Sequence, residues 1–192
     1  MNTDFIIGHR LVGVPQRQTP HQDARPDPRD LSLLVVHGIS LPPGEFGGPW
    51  IDALFLGCLP QDEHEYFKEI SGLKVSAHLV IFRDGSMKQF AAFDRRAWHA
   101  GQSEYEGRSC CNDFAIGIEL EGTDDQPYTD AQYRQLVTVS GALMASYPGL
   151  TPDRIVGHCD IAPGRKTDPG PAFDWPRFRR ELEAAGTGFV AD

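Results

Sequence analysis

The sequence predicts a single α/β domain with a central mixed β-sheet flanked by helices, and three observations predict it. Short apolar runs of strand character alternate with stretches of helical period. One pair of strands is joined by a hairpin turn, which a purely parallel sheet would not contain. At 192 residues the chain is long enough for one full core, and 40% apolar with 23% charged residues is the balance of a soluble globular domain.

Taken in order, residues 1–30 are expected to form an extended N-terminal segment packed on the domain. Within it the polar, proline-rich stretch 15–30 (PQRQTPHQDARPDPRD) is expected to lie over the surface. The domain proper runs over 31–186, and 187–192 form a C-terminal tail. Leu31–His37 is an apolar run whose alternation puts Leu33, Val35 and His37 on one face and Leu34 and Val36 on the other. Leu41 to Pro49, with three prolines and three glycines, is a loop, and Leu41–Gly57 could make a lid over the cleft. Trp50–Leu56 and Asp62–Ile70 read as short helices. Ala77–Phe82 reads as a strand, turning at Arg83-Asp84-Gly85 into Met87–Phe90.

Phe114–Glu121 is the clearest strand, with Ile116, Ile118 and Leu120 on one face and Gly117, Glu119 and Glu121 on the other. Thr129, with Gln132 three residues on, opens the longest helix through a capping box. Tyr133, Leu136, Val137, Leu143, Met144 and Tyr147 fall on its inner face, and Pro148-Gly149 ends it. A short strand over Arg154–Val156 and a last helix from near Pro176 to Gly186 complete the chain.

A net charge of −9 argues against a general nucleic-acid or anionic-membrane binder. Lys74, Arg95, Arg96, Arg108, Arg165 and Lys166 could still gather into a local patch for a small anion. Cys58, Cys110, Cys111 and Cys159 show no C-x-x-C spacing and suit a reducing compartment. Met1 to Val14 lacks the apolar core of a secretory signal, and no run approaches a membrane span. A cytoplasmic protein with no obligate protein partner is the expectation.

The chemistry concentrates in Gly157–Pro171, GHCDIAPGRKTDPGP, where three glycines and three prolines keep the chain out of regular helix or strand. Such a loop can hold side chains at fixed positions. His158 begins it and Asp168 lies ten positions on, while His37 ends the first strand. Two imidazoles and a carboxylate are the ligand set of several catalytic zinc sites. With 121 positions between the histidines, His78, His99 and Asp160 remain rival ligands. Glu119 is the best candidate for a base, on the polar face of its strand beside Gly117, and Glu121 fits a solvent-facing carboxylate. Lys166, two residues before Asp168, could stabilise negative charge.

LLVVHGISLPPGEFGG, VSAHLVIFRDG, RAWHAG, CNDFAIGIELEGTD, PYTDAQY and GHCDIAPGRKTDPGPAFDW resemble AmpD-type cytoplasmic 1,6-anhydro-N-acetylmuramoyl-L-alanine amidases. That type 2 amidase family is related to phage lysozyme-type amidases and peptidoglycan-recognition proteins. The resemblance, spread from about Leu33 to Trp175, implies a mixed sheet flanked by helices. It also implies Zn2+ on His37, His158 and Asp168, Glu119 as proton acceptor and Lys166 as transition-state stabiliser. The implied substrate is an anhydro-muropeptide of cell-wall peptidoglycan recycling, cut between the lactyl group of the muramic acid and L-alanine. Lys74, Trp98 and Arg108 are candidates for substrate binding. Gly38 stands where the family usually has Asn, and Cys110 where it often has Arg. Two other readings are a non-catalytic module of the same fold that binds muropeptide, and histidines that are merely packed or hold a structural zinc. The joint presence of Glu119 and the three ligand candidates disfavours a pure binder.

Overall fold

The computed structural model describes residues 5–187. The expected C-terminal tail lies outside the described residues, except that Thr187 closes the last helix. Before the main sheet the chain makes β1 (Ile6–Ile7), β2 (Arg10–Leu11) and β3 (Gln22–Ala24). There follow β4 (Leu33–Ile39), α1 (Trp50–Phe55), α2 (Glu65–Ile70), β5 (Leu79–Ile81), β6 (Met87–Gln89) and β7 (Arg95–Ala97). The second half carries β8 (Glu104–Tyr105), β9 (Arg108–Ser109), β10 (Ala115–Glu121), α3 (Asp130–Ser146), β11 (Ile155–Gly157), α4 (His158–Ile161) and α5 (Trp175–Thr187).

The central sheet has five strands in the order β11-β4-β10-β5-β6, the first four parallel and β6 antiparallel. This is the mixed sheet that the sequence predicts. β4 and β10 lie in the middle and are covered on both faces, which is why LLVVHGI and AIGIELE read as almost unbroken apolar runs. Leu34, Val36, Ile116, Ile118 and Leu120 face α3 and α5, where they meet Leu136, Leu143 and Phe178. Ile116 and Ile118 are fully buried, and each contributes about 1.5–3 kcal/mol by leaving water. On the opposite face two smaller clusters form. One joins α1 and α2 to Val80 and Phe90, and the other joins Leu33 and Val35 to Phe114 and Ile161.

Thr129 caps α3 with both bonds of the capping box. The Gln132 amide also donates to the carbonyls of Ile81 and Glu121, at 3.2 and 2.9 Å, so the helix start is tied to the ends of β5 and β10.

Four features depart from the sequence reading. The 15–30 stretch is not merely laid over the surface: Thr19, His21 and Arg25 are buried, and β3 pairs with β7. Glu121 does not face solvent but is buried, accepting from the backbone N–H of Gly47 at 2.6 Å and of Arg83 at 3.1 Å. The Gly157–Pro171 loop contains one helical turn, α4, begun where the Asp160 carboxylate turns back to accept from the Gly157 N–H at 2.7 Å. The supposed basic patch is dispersed as well. Arg96 pairs with Asp23 and Asp113, Arg108 with Asp30, and Arg165 with backbone carbonyls.

Candidate metal centre

β4, α4 and the loop after α4 bring His37, His158 and Asp168 together at the carboxyl ends of the parallel strands. Open α/β sheets carry their sites at this end. His37, two residues before the end of β4, lies on the same face as Leu33 and Val35 by the alternation of the strand. β11 pairs with β4 and delivers His158 at the first position of α4. The returning loop is fastened by the Cys159 N–H to the Asp168 carbonyl at 3.0 Å and by the Tyr128 hydroxyl to the Pro169 carbonyl at 2.9 Å. Gly38 leaves room for that hydroxyl, since a Cβ there would lie 2.5 Å from it.

His37 Nδ1 and His158 Nδ1 face each other at 3.0 Å, and Asp168 Oδ2 lies 3.3 Å from the first and 3.0 Å from the second. Donors held tetrahedrally at zinc–ligand lengths are spaced ~3.3 Å apart, so this cluster has the right size for that ion. Two nitrogens and one oxygen also suit zinc better than the all-oxygen preferences of calcium or magnesium. The three residues therefore fit a catalytic zinc set with one position left open.

The electrostatics favour the metal-binding protonation states. Burial lowers the His37 imidazole from 6.5 to about 4, so it is neutral in ordinary buffers. Burial works to raise the Asp168 carboxyl, but the adjoining His158 and His37 imidazoles outweigh it and hold the group well below the usual carboxylate range.

Glu119 is the register partner of His37 across the β10–β4 ladder. Its side chain is 8% exposed, and its Oε2 is buried with no hydrogen-bond partner. Burial, and then the negative charge of Asp168, raise its carboxyl well above the ordinary value, while the Lys166 ammonium opposes the rise. Lys166 itself is exposed, on the loop between α4 and Asp168, and its charge reaches both Glu119 and His37.

The rival ligands are engaged elsewhere. Asp160 closes α4. His78 Nδ1 accepts from the Gly117 N–H at 3.0 Å, so its proton sits on Nε2 and points to the Arg95 carbonyl at 2.9 Å. Burial lowers the His78 imidazole to about 3. His99 lies behind the cluster, its Nδ1 3.0 Å from His37 Nε2. Burial, together with the neighbouring His37 and His78, keeps His99 neutral by pushing its pKa well below 6.5.

Of the substrate-binding candidates, Trp98 is half-buried and stacks on His21, with ring centroids 6.0 Å apart. Lys74 is exposed in the same region, two residues before Ser76, whose hydroxyl accepts from the Trp98 N–H at 3.2 Å. Arg108 is not brought to the cluster. It pairs with Asp30 at 2.6 Å, beside Ser32 at the start of β4, roughly 15 Å along the strand from His37. Sequence reasoning missed Arg25, which donates to the carbonyls of Phe93, Asn112 and Ala115. A lone arginine in a polar, proline-rich stretch carries no periodic signal.

Comparison with known proteins places this geometry in context. Residues 27–171 match the family model described as N-acetylmuramoyl-L-alanine amidase. The chain is 64% identical over 169 residues, 88% of its length and 90% of the relative, to the 1,6-anhydro-N-acetylmuramyl-L-alanine amidase AmpD of Salmonella typhimurium strain SL1344. A crystal structure of a Se-Met AmpD derivative superposes with a TM-score of 0.90 at 58% identity, covering 92% of this chain and 98% of that one. The Escherichia coli amidase AmiD superposes with a TM-score of 0.59 at 27% identity, covering 79% of this chain and 57% of that one. That structure holds the substrate anhydro-N-acetylmuramic acid-L-Ala-D-gamma-Glu-L-Lys.

Proposed function

The chain belongs to the N-acetylmuramoyl-L-alanine amidase family, and we propose that it is a zinc-dependent member acting on 1,6-anhydro-N-acetylmuramyl peptides in peptidoglycan recycling. The bond cut is the amide between the lactyl carbonyl and L-alanine. The observation that carries the reading is the meeting of His37, His158 and Asp168 beside a buried carboxylate, Glu119, with an unpartnered oxygen.

In this proposal His37, His158 and Asp168 hold the metal. Zinc, when bound, supplies Lewis acidity to water and to the amide carbonyl at neutral pH. Glu119 accepts the proton of the attacking water and returns it to the departing alanine amine. Its raised pKa brings it towards the working pH, where a group can both take and give a proton. A dication beside it would favour the ionised form from which the cycle starts. The Lys166 ammonium, which already acts on Glu119 through space, stabilises the oxyanion that develops on the carbonyl. Trp98 offers a wall for the pocket and Lys74 a partner for a substrate carboxylate. Arg108, held by Asp30, is left out.

The test is product analysis by mass spectrometry of the zinc-loaded protein on anhydro and non-anhydro muropeptides side by side. Free stem peptide and anhydro-N-acetylmuramic acid are the expected products. Saturable binding of the muropeptide without cleavage would replace the enzyme reading by a recognition module.

A further inference from the structure

Each ligand imidazole has a second ring nitrogen turned away from the metal position, and both are met by the same two consecutive residues. His37 Nε2 lies 3.0 Å from His99 Nδ1, and His158 Nε2 lies 3.3 Å from the Ala100 carbonyl oxygen. This turn is built to stay in place. The Asn112 Oδ1 accepts from the backbone N–H of both His99, at 3.1 Å, and Ala100, at 2.8 Å. The Arg165 guanidinium donates to the same Ala100 carbonyl at 2.6 Å and to that of Gln102 at 2.7 Å. The Asn112 carbonyl is in turn held by Arg25 at 2.9 Å. β10 makes space for the arrangement, because a Cβ at Gly117 would lie 2.5 Å from His99 Cγ.

We propose that the His99–Ala100 turn, clamped by Asn112, fixes the orientation and tautomer of both ligand imidazoles, with His99 and Asn112 as positioning residues. The inference rests on His37 and His158 being metal ligands. A ring nitrogen that ligates a metal must present its lone pair, so the ring proton has to sit on the other nitrogen. The Ala100 carbonyl can only accept, so it holds the His158 proton on Nε2 and leaves Nδ1 free. His99 does the same for His37 in the tautomer assigned to it, its Nδ1 accepting the His37 Nε2–H while its own Nε2 is buried without a hydrogen-bond partner. An acceptor on each distal nitrogen thus selects the tautomer that faces Asp168 with two lone pairs. The pairing also raises the basicity of the ligating nitrogens.

The experiment compares wild type with His99→Leu, which keeps bulk against Gly117 but removes the acceptor. It also includes His99→Asn, whose Oδ1 falls near where Nδ1 stood, and Asn112→Ala, which frees the turn. Zinc affinity is measured by competition with a chromophoric chelator. The imidazole tautomers of the metal-free proteins are read by long-range 15N–1H correlation. His99→Leu should bind zinc ~10–100-fold more weakly, His99→Asn should recover most of the loss, and Asn112→Ala should fall between. The His37 spectrum should change from a single Nε2–H tautomer to a mixture only where the acceptor is lost. Wild-type affinity and tautomer in a folded His99→Leu, or equal losses for Leu and Asn at this position, would overturn the proposal. A wild-type protein that binds no zinc would overturn the ligand reading and this inference with it. Tight wild-type binding with no effect of the variants would overturn this inference alone.

Discussion

Glu119 and His37 are opposite one another in the parallel ladder between β10 and β4, on the two central strands of the sheet. The distance between the proposed base and the first proposed ligand is therefore set by the spacing of neighbouring strands, ~4.8 Å, and not by a loop. Sites built on strands hold their geometry more closely than sites built on loops.

Substituting the base should separate chemistry from metal binding. Glu119→Gln keeps the volume and the buried setting but cannot take a proton. We expect kcat to fall by about 10²–10⁴-fold, with zinc content unchanged. Chromatographic rates and atomic absorption on the same sample decide it, and near-wild-type kcat would remove Glu119 from that role.

Removing the metal should cost stability as well as turnover. Dialysis against dipicolinate is expected to abolish activity and lower Tm, and added zinc to restore both. With zinc at 100 times its Kd the linkage amounts to about 2.7 kcal/mol, or roughly 5–10 °C for a chain of this size. Scanning calorimetry with and without zinc measures the difference. An identical Tm would argue against a metal held by the folded state alone.

Acid should unfold the metal-free protein earlier than its surface charges require. His78 takes a proton near 6.5 when unfolded but only near about 3 when folded, and His37 only near about 4. Between those values the unfolded chain binds the extra protons, so stability present above pH 6.5 is lost as pH falls. The slope is at most ~1.4 kcal/mol per pH unit for each group. Urea titrations at pH 7, 6, 5 and 4 would show it, and a His78→Gln variant should have a shallower dependence.

The loop before α1 is pinned from beneath. Glu121 accepts from Gly47 and Arg83, so Glu121→Ala removes the acceptor of two part-buried N–H groups, at about 0.5–1.5 kcal/mol each. Faster amide exchange over residues 44–48 is expected, with exchange on β10 little changed. Glu121→Gln, which keeps one acceptor oxygen, should show a smaller effect.

Much of this architecture is legible in the sequence because it depends on short-range rules. The alternation in Leu33–His37 assigns each side chain to the face it occupies, as it does in Ile116–Leu120. The Thr129 and Gln132 pair sets the start of α3. What could not be read depends on partners distant in the chain. Glu121 looks like a surface carboxylate until the N–H groups of Gly47 and Arg83 arrive. Arg25 looks solvated until three carbonyls surround it. The ligand cluster is intermediate: residue types and family motifs point to it, but only the β11–β4 pairing brings His158 beside His37, and only the bonds made by Asp160 and His78 take those rivals away.

The ordering of the strands also bears on how the protein is made. β11 occupies the edge beside β4, so the two imidazoles meet only when the last strand docks against the first of the five. A ribosome adding about 5–20 residues per second needs roughly ten seconds to pass from His37 to Asp168. For most of that interval a nascent chain carries only one of the three proposed ligands. On the proposed ligand set, an ion would be captured only after Asp168 has been made and β11 has docked, so a growing polypeptide would not sequester zinc before its sheet is complete.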